Sequence, residues 1–219
     1  MTIESSKTLG GIGAILLVIF PFGSWFASGF SGIIGLAGGI LVLIALNGLA
    51  NEYRERRVFN NALYGVILTI VGIVVAVAIF VVAAFGMLSV LGIHISNWMD
   101  PSAIQSAFQN FNPANITLDI NELAPYIGAA AGAVIILFLC FVFGAFFIRR
   151  SLNTVAEKSG THLFAAAGLL MLIGAILTIV AIGLILLWVS LILLAVAFFE
   201  MRTMQPSPQM APQSPPAQA

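Results

Sequence analysis

Long apolar runs separated by short polar segments organise this chain. Residues 10–50 and 163–199 contain no Asp, Glu, Lys or Arg. A helix rises about 1.5 Å per residue, so either stretch as one helix would be much longer than the hydrocarbon core of a bilayer, about 30 Å. Each of these two stretches is therefore predicted to cross a membrane, turn and cross back. The apolar runs 62–93 and 123–148 are each predicted to cross once.

The fold class predicted from these runs is all-α: a polytopic membrane protein with a bundle of six transmembrane helices and a short outer amphipathic helix. The spanning segments must be helical because a lone strand would leave its backbone groups unsatisfied in lipid. The transmembrane domain is predicted over 1–202. Its helices are predicted at about 10–27, 31–50, 62–93, 123–148, 163–182 and 184–200. Length alone argues for the boundary near Ile182 and Gly183, so one bent helix is the alternative there.

The largest segment between the predicted crossings is the outer loop at 94–122. Asp100 followed by Pro101 is typical of a helix start, because a carboxylate caps the first turn and proline is tolerated at the first position. Apolar residues then recur at the spacing of one helix face, namely Ile104, Ala107, Phe108 and Phe111. The pattern predicts an interfacial helix at about 101–111 that lies on the outer leaflet or covers the bundle. A lid over a central cavity is the alternative.

Composition favours lipid as the solvent around this chain. Hydrophobic residues make up 61% and charged residues 7%, whereas an ordinary soluble domain has about 45–50% and about 25%. The net charge is zero, so no nucleic-acid partner is expected. The uncharged segment 203–219 is rich in Pro and Gln and is predicted to be a disordered cytoplasmic tail.

The charged residues divide between the two sides of the membrane. With the N-terminus inside, the inner segments are 1–9, 51–61, 149–162 and 200–219, and they hold all eight Lys and Arg residues. The outer segments hold three acidic residues, Asp100, Asp119 and Glu122. This asymmetry follows the positive-inside rule and predicts a multi-pass protein of the cell membrane with both termini cytoplasmic. A cleaved signal peptide over 1–29 is the alternative for the first crossing, although Glu4 weakens its basic start.

Chemistry-bearing residues form no recognisable catalytic set in the sequence. No nucleophile elbow, phosphate-binding loop or dinucleotide fingerprint occurs. His94, Cys140 and His162 lack the spacing of metal ligands. The sequence therefore predicts no catalytic residue, no cofactor and no metal site, and we expect the protein not to be an enzyme.

Small residues predict where the helices pack. Gly35 and Gly39 form a GxxxG spacing in the second helix, and Gly128 and Gly132 form another in the fourth. Because glycines four apart let helix backbones approach closely in lipid, these four residues are predicted helix-packing points. Packing within the bundle is the first interpretation, and a homo-oligomer face is the alternative. Asn115 begins an Asn-Ile-Thr sequon in the outer loop and is a candidate glycosylation site.

Asparagines cluster around the first inner loop, at Asn47, Asn51, Asn60 and Asn61, together with three arginines. We expect these side chains to cap helix ends at the membrane interface. Binding of an anionic lipid headgroup or of a partner is the alternative.

A pentapeptide, Ile-Gly-Ala-Ile-Leu, occurs at 12–16 and again at 173–177. Each copy lies in the first helix of a predicted hairpin, so the first and last hairpins are candidates for parallel repeats. Chance recurrence in an apolar sequence is the alternative.

Several segments resemble a single protein family. They are SKTLGGIGAIL at 6–16, VFNNALY at 58–64, GLLMLIGAILT at 168–178 and LLAVAFF at 193–199. They are similar to segments of an uncharacterised family of archaeal membrane proteins, a domain of unknown function. The resemblance covers most of 5–200 and implies an archaeal source and a multi-pass fold. The family has no established activity, so it implies no functional residues here.

The functional expectation is a non-enzymatic accessory or structural membrane component. No Asp, Glu, Lys or Arg lies inside the apolar runs, which argues against a proton-coupled transporter or pump. The expected partners are the lipid bilayer and either another membrane protein or a second copy of the chain. A channel or facilitator for a small neutral or weakly polar solute is the alternative, since hydroxyl groups and backbone carbonyls can line a pore.

Overall fold

Seven α-helices make up most of the part of the chain that the structure describes. The structure is a computed structural model, and it describes residues 3–26, 31–93, 95, 97, 99–109 and 120–201, without the side chains of 22–26 and 31. The helices are α1 (Ile3–Phe26), α2 (Ser31–Glu52), α3 (Arg56–Val90), α4 (Pro101–Gln109), α5 (Ile120–Ser159), α6 (Leu163–Leu177) and α7 (Ile182–Glu200). All but α4 are long and apolar enough to cross a membrane, α6 together with the 3₁₀ turn that follows it. The predicted fold class is confirmed: the chain is an all-α, multi-pass membrane protein.

Helix α5 runs well past the apolar core predicted for it, and α3 begins six residues before its predicted core and ends three residues before the end of that core. α3 has 35 residues and α5 has 40, against predicted spans of 62–93 and 123–148. At about 1.5 Å per residue they reach about 52 and 60 Å, roughly twice the hydrocarbon core. The polar segments 56–61 and 149–159 include good helix formers, which continue each helix instead of ending it. Each helix therefore carries a polar extension beyond its apolar span.

The turn between α6 and α7 comes earlier than the sequence indicated. A 3₁₀ turn covers Thr178–Val180, and the predicted boundary at Ile182 falls instead at the start of α7. The Thr178 hydroxyl donates to the carbonyl oxygen of Gly174 at 2.9 Å. Ala181 takes a left-handed conformation with φ of 62° and donates its N–H to the Thr178 carbonyl. This local hydrogen bonding ends α6 without a glycine at the turn.

Close to this turn, α6 and α7 pack directly against each other. A Cβ built at Gly174 would lie 3.0 Å from the carbonyl oxygen of Gly183 and 3.0 Å from Leu187 Cγ. The chain therefore reverses between the two helices, and the single bent helix considered for this stretch is excluded.

Contacts divide the chain into two compact units. As far as their residues are described, the first comprises Met1–Phe59, Leu152–Ala167 and Ser190–Ala219, and the second comprises Asn60–Ser151 and Gly168–Val189. Helices α3, α5, α6 and α7 thus contribute residues to both units, whereas α1 and α2 belong wholly to the first.

In the first unit, α1 and α2 pack backbone against backbone. A Cβ built at Gly13 would lie 2.8 Å from the carbonyl oxygen of Gly38, and one built at Gly38 would lie 2.8 Å from that of Gly13. Real Cβ atoms essentially never come within 3.0 Å of such an atom. Only a pair of glycines therefore allows the two helices to come this close.

In the second unit, α3 and α5 pack in antiparallel register. A Cβ at Gly65 would lie 2.7 Å from the carbonyl oxygen of Gly144, and one at Gly144 would lie 2.9 Å from that of Gly65. Further along α3, Gly86 lies against the ring of Tyr126. From Gly65 to Gly86 the contact extends for about 30 Å, which matches the hydrocarbon core of a bilayer. The α3–α5 pair is therefore in contact over one full crossing.

The GxxxG pairs behave differently from these close contacts. A Cβ at Gly35 would meet the ring of Phe20, with the nearest atom 2.8 Å away. At Gly39, Gly128 and Gly132 no such atom of the described residues lies within 4 Å of the added Cβ. These three glycines therefore do not make the predicted contact within the described chain, because helix spacing alone does not specify what lies opposite. The homo-oligomer face stays a prediction.

Helix α4 begins where the sequence predicted, at Pro101. The Asp100 carboxylate accepts a hydrogen bond from the Ser102 hydroxyl at 2.7 Å and another from the Ser102 backbone N–H at 2.9 Å. These bonds hold the pKa of Asp100 below its usual value, because they stabilise the ionised carboxylate. Asp100 therefore acts as a charged cap at neutral pH.

The predicted apolar face of α4 is only partly covered. None of the helix residues is buried. Ile104 and Ala107 are half-buried, while Phe108 is 51% exposed. Phe111, like the predicted tail at 203–219, lies outside the described residues. This degree of exposure is consistent with a face that lies on lipid.

Replacing Gly65 by leucine tests the α3–α5 contact. Gly65→Leu should destabilise the protein by about 1–3 kcal/mol, because the Cβ of the new side chain overlaps the Gly144 backbone. A rotamer change does not move the Cβ and so cannot relieve this overlap. Gly128→Leu is the matched control on α5, since open space surrounds that position. Thermal unfolding of both variants in detergent gives the comparison. Equal melting temperatures would contradict the contact geometry described above.

Candidate functional site where the first and last helices meet

In the first unit, polar groups converge where α1 begins and α7 ends. The Lys7 ammonium donates a hydrogen bond to the backbone carbonyl oxygen of Met201 at 2.9 Å. The Tyr53 hydroxyl, from the segment between α2 and α3, lies 3.8 Å from the Met201 sulfur and donates to it. Met201 itself is fully buried. We call Lys7, Gly10, Tyr53, Phe198 and Met201 the terminal junction.

The Lys7 bond compensates the negative end of a helix. The last carbonyl groups of a helix have no intrahelical partner and carry the negative end of the helix dipole. Met201 directly follows α7, so its carbonyl lies at this end. The half-buried Lys7 ammonium supplies both a donor and a positive charge there. The bond joins residues 194 positions apart, so it ties together the two ends of the described chain.

Aromatic packing supports the same junction from the apolar side. Phe198 is fully buried, and its ring occupies the space that the side chain of any larger residue at position 10 would need. A Cβ at Gly10 would lie 2.6 Å from Phe198 Cζ. The Phe198 ring also meets the buried Phe164 ring edge to face, with centroids 5.1 Å apart and planes at 88°. Such pairs are favourable, so α1, α6 and α7 are fixed to one another here.

The Tyr53 hydroxyl is kept in its neutral form. Burial raises the pKa of Tyr53, and the neighbouring Glu52 carboxylate raises it further. The hydroxyl therefore stays protonated at neutral pH and can donate, although a thioether is a weak acceptor. Its contribution to the junction is mainly to fix the position of Met201.

One buried polar atom near the junction has no partner. Ser6 is fully buried, and its hydroxyl oxygen makes no hydrogen bond with any described residue. Burial of an unpaired hydroxyl costs free energy, so Ser6 weakens the stability of the packed state at this point.

In the sequence, Lys7 contributes to the charge asymmetry, and nothing there indicates its contact with Met201. The described asparagines of the first inner loop are not part of the junction contacts, whereas Tyr53, which lies among them, is. His162 is exposed, and Cys140 packs against Gly72. Asn115 and His94 lie outside the described residues. In the part of the chain that the structure describes, no group of three or more His, Cys, Asp or Glu residues could hold a metal ion.

Comparison with known proteins gives the family. Residues 34–192 match the family described as Protein of unknown function (DUF996). The chain belongs to this family. The uncharacterized protein MJ1644 of the archaeon Methanocaldococcus jannaschii is 32% identical over 202 residues, which cover 92% of this chain and 94% of that protein. The predicted resemblance to an uncharacterised archaeal family is therefore confirmed.

No solved structure matches this DUF996 chain. The family match covers α2 to the middle of α7, from residue 34 to residue 192. Lys7, Phe198 and Met201 lie outside that range, so the family match does not by itself assign a role to the terminal junction.

Removing the Lys7 ammonium tests the junction. Lys7→Met keeps most of the aliphatic stem and loses the charged hydrogen bond, and we expect a loss of about 1 kcal/mol because the ammonium is half-exposed. For a chain of this size that corresponds to a decrease in Tm of about 2–4 °C. Lys158→Met is the control, because Lys158 is exposed. A Lys158 effect as large as that of Lys7 would show that charge alone, and not this bond, is responsible.

Proposed function

We propose that this protein is a non-enzymatic accessory or structural component of the cell membrane. The observation that carries the proposal is the way its helices meet. In both units, backbones approach at glycines, as at Gly13 with Gly38 and at Gly65 with Gly144. Contacts of this kind leave no room for a solute between the paired helices and are typical of permanent packing in lipid.

The distribution of polar side chains supports the same proposal. Among the described residues, the fully buried polar or charged side chains are Ser6, Ser151 and Ser190. Ion and proton pathways in membranes are built from ionisable groups at membrane depth, and the apolar runs contain no Asp, Glu, Lys or Arg. A buried serine is a common helix-packing residue. The buried polar side chains are therefore those expected of a structural protein and not those of an ion or proton pathway.

A cavity in the second unit has an apolar lining. Its volume is about 430 Å³, and it is lined by Ala78, Ile79, Val82, Ala83, Pro125, Tyr126 and Ala129. A pathway for a polar solute needs hydrogen-bonding groups along its wall, and among these side chains only that of Tyr126 carries one. This cavity gives no support to the alternative of a facilitator for a polar solute.

The location proposed for the termini is the cytoplasmic side. The Lys7–Met201 bond requires the start of α1 and the end of α7 to lie on the same side of the membrane. The positive-inside rule assigns that side to the cytoplasm, since every Lys and Arg falls in the segments that share it. An accessory role further implies a membrane protein partner or a second copy of the chain.

Two measurements test the accessory role. The protein should leave its native membrane in mild detergent as a stable complex with another membrane protein or with itself. Vesicles that contain the purified protein should swell in glycerol or urea no faster than protein-free vesicles, because the packed helices offer no pathway. Swelling that increases in proportion to the amount of protein would overturn the accessory role in favour of a facilitator.

Cysteine labelling tests the orientation. In a Cys140→Ala background, Ser102→Cys should react with an impermeant maleimide added to intact cells, because α4 is assigned to the outer side. Ser159→Cys, at the end of α5, should react only after the membrane is permeabilised. Permeabilised cells, in which both variants should label, are the control for side-chain access. Labelling of Ser159→Cys in intact cells would contradict the orientation.

A further inference from the structure

The cavity of the second unit is a groove along the α3–α5 pair. Four of its lining residues come from α3 and three come from α5. Val82 is 69% exposed, whereas the neighbouring Ala83 is buried. One side of the groove therefore faces the surroundings of the protein, and the other lies between the two helices.

The groove begins just inside the hydrocarbon core and runs along the helices. Glu122 is the last charged residue before the apolar run of α5, and Tyr126 follows it by about one helical turn. A Cβ at Gly86 of α3 would overlap the Tyr126 ring, so these two residues lie at one level. Ala78 also lines the groove, and it lies about 12 Å deeper along α3 than Gly86. The groove therefore extends from the membrane surface where α5 begins towards the centre of the bilayer.

The groove is narrower than a helix. A volume of about 430 Å³ over a length of about 12 Å gives a mean cross-section of about 36 Å². A helix with its side chains is about 10–12 Å across, which corresponds to about 80–110 Å². A helix of a second copy is therefore too wide to lie in the groove. A long, narrow, apolar space has the shape of an extended hydrocarbon chain.

The apolar lining indicates that the occupant comes from the bilayer. An apolar space of this kind does not hold water, and leaving it empty would forfeit dispersion contacts along both helices. The hydrocarbon core contains no water and consists of lipid chains. A lipid chain that enters the groove from the side restores the missing contacts.

Acidic residues lie at the surface end of the groove. Glu122 is exposed and precedes Tyr126 by four residues, so both lie on one face of α5. The headgroup of a lipid whose chain lies beside Tyr126 reaches the level of Glu122. The segment 94–122 contains Asp100, Asp119 and Glu122 and no Lys or Arg. A headgroup that carries an amine is therefore attracted here, and an anionic headgroup is repelled.

We infer that the groove binds one hydrocarbon chain of an amine-bearing phospholipid, of the chemistry of phosphatidylethanolamine. The chain lies against Ala78, Val82 and Ala129, and the headgroup ammonium lies near the Glu122 carboxylate. The site uses the α3–α5 pair alone and does not depend on the accessory role proposed above.

Lipid binding to the full chain in detergent tests the site. Native mass spectrometry would measure the Kd for phosphatidylethanolamine and for phosphatidylglycerol with the same acyl chains. Ala129→Phe places a ring inside the groove and should weaken the binding of both lipids by about tenfold or more, because the ring and the chain need the same space. Ala78→Phe, on the opposite helix, should do the same. An unchanged Kd in both variants would overturn the site.

Ala131→Phe is the matched control for the added ring. Ala131 is exposed and lies outside the lining, two positions further along α5 than Ala129. The control should keep the Kd of both lipids within about twofold of the wild type, as is usual for a surface substitution. Melting temperatures in detergent confirm that the three variants are folded. A loss in Ala131→Phe as large as that in Ala129→Phe would also overturn the site.

Glu122→Gln tests the headgroup. The wild type should bind phosphatidylethanolamine about threefold more tightly than phosphatidylglycerol, as expected for one exposed ion pair, and Glu122→Gln should bind the two lipids equally. Glu4→Gln removes an exposed carboxylate from α1 and should keep the preference. Equal binding of the two lipids by the wild type would overturn the assignment of an amine-bearing headgroup.

The same spectra distinguish a lipid from a second copy of the chain. Ala129→Phe should leave the oligomeric state of the protein unchanged, because the groove is too narrow for a helix. A dimer in the wild type that Ala129→Phe separates into monomers would assign the groove to a second copy and overturn the lipid site.

Discussion

The close approach of helix backbones at glycine is the constraint on which this structure depends. In lipid no hydrophobic effect drives helices together, so association relies on contact area and short distances. Gly13 with Gly38 and Gly65 with Gly144 provide those distances in the two units. Larger residues at these points would separate the helix axes and remove the dispersion contacts on either side of them.

The positions of the crossings were predictable because a helix that crosses the hydrocarbon core needs about 20 consecutive, predominantly apolar residues. The charge-free runs gave the number of helices, and the polar segments between them gave the approximate ends. The turn at Thr178–Val180 was harder to locate, because Thr178 is a single polar residue in an apolar stretch and Ala181 has no special turn chemistry. The length of α5 was underestimated and the start of α3 was predicted six residues too late, since polar helix formers extend a helix as readily as they end it.

Contacts between helices were much less predictable than the helices themselves. The GxxxG spacing selected Gly39, Gly128 and Gly132, which have open space around them, and overlooked Gly13 and Gly65, which are in contact. A spacing describes one helix, whereas a contact depends on the register of two. For the same reason, the sequence alone did not reveal the terminal junction. Nothing local to Lys7 indicates that its partner is a carbonyl group 194 residues later.

The terminal junction has a consequence for how the protein is made. Ribosomes synthesise Met201 after all six spanning segments, so Lys7 and Gly10 have no partner on α7 until that helix has been made. The α1–α2 hairpin is local and is able to form early, whereas the contact between Lys7 and Met201 joins residues 194 positions apart. Helix α1 is therefore inserted first, but its contacts with α7 form last. If synthesis is interrupted before α7 is made, α1 lies in the membrane without these contacts.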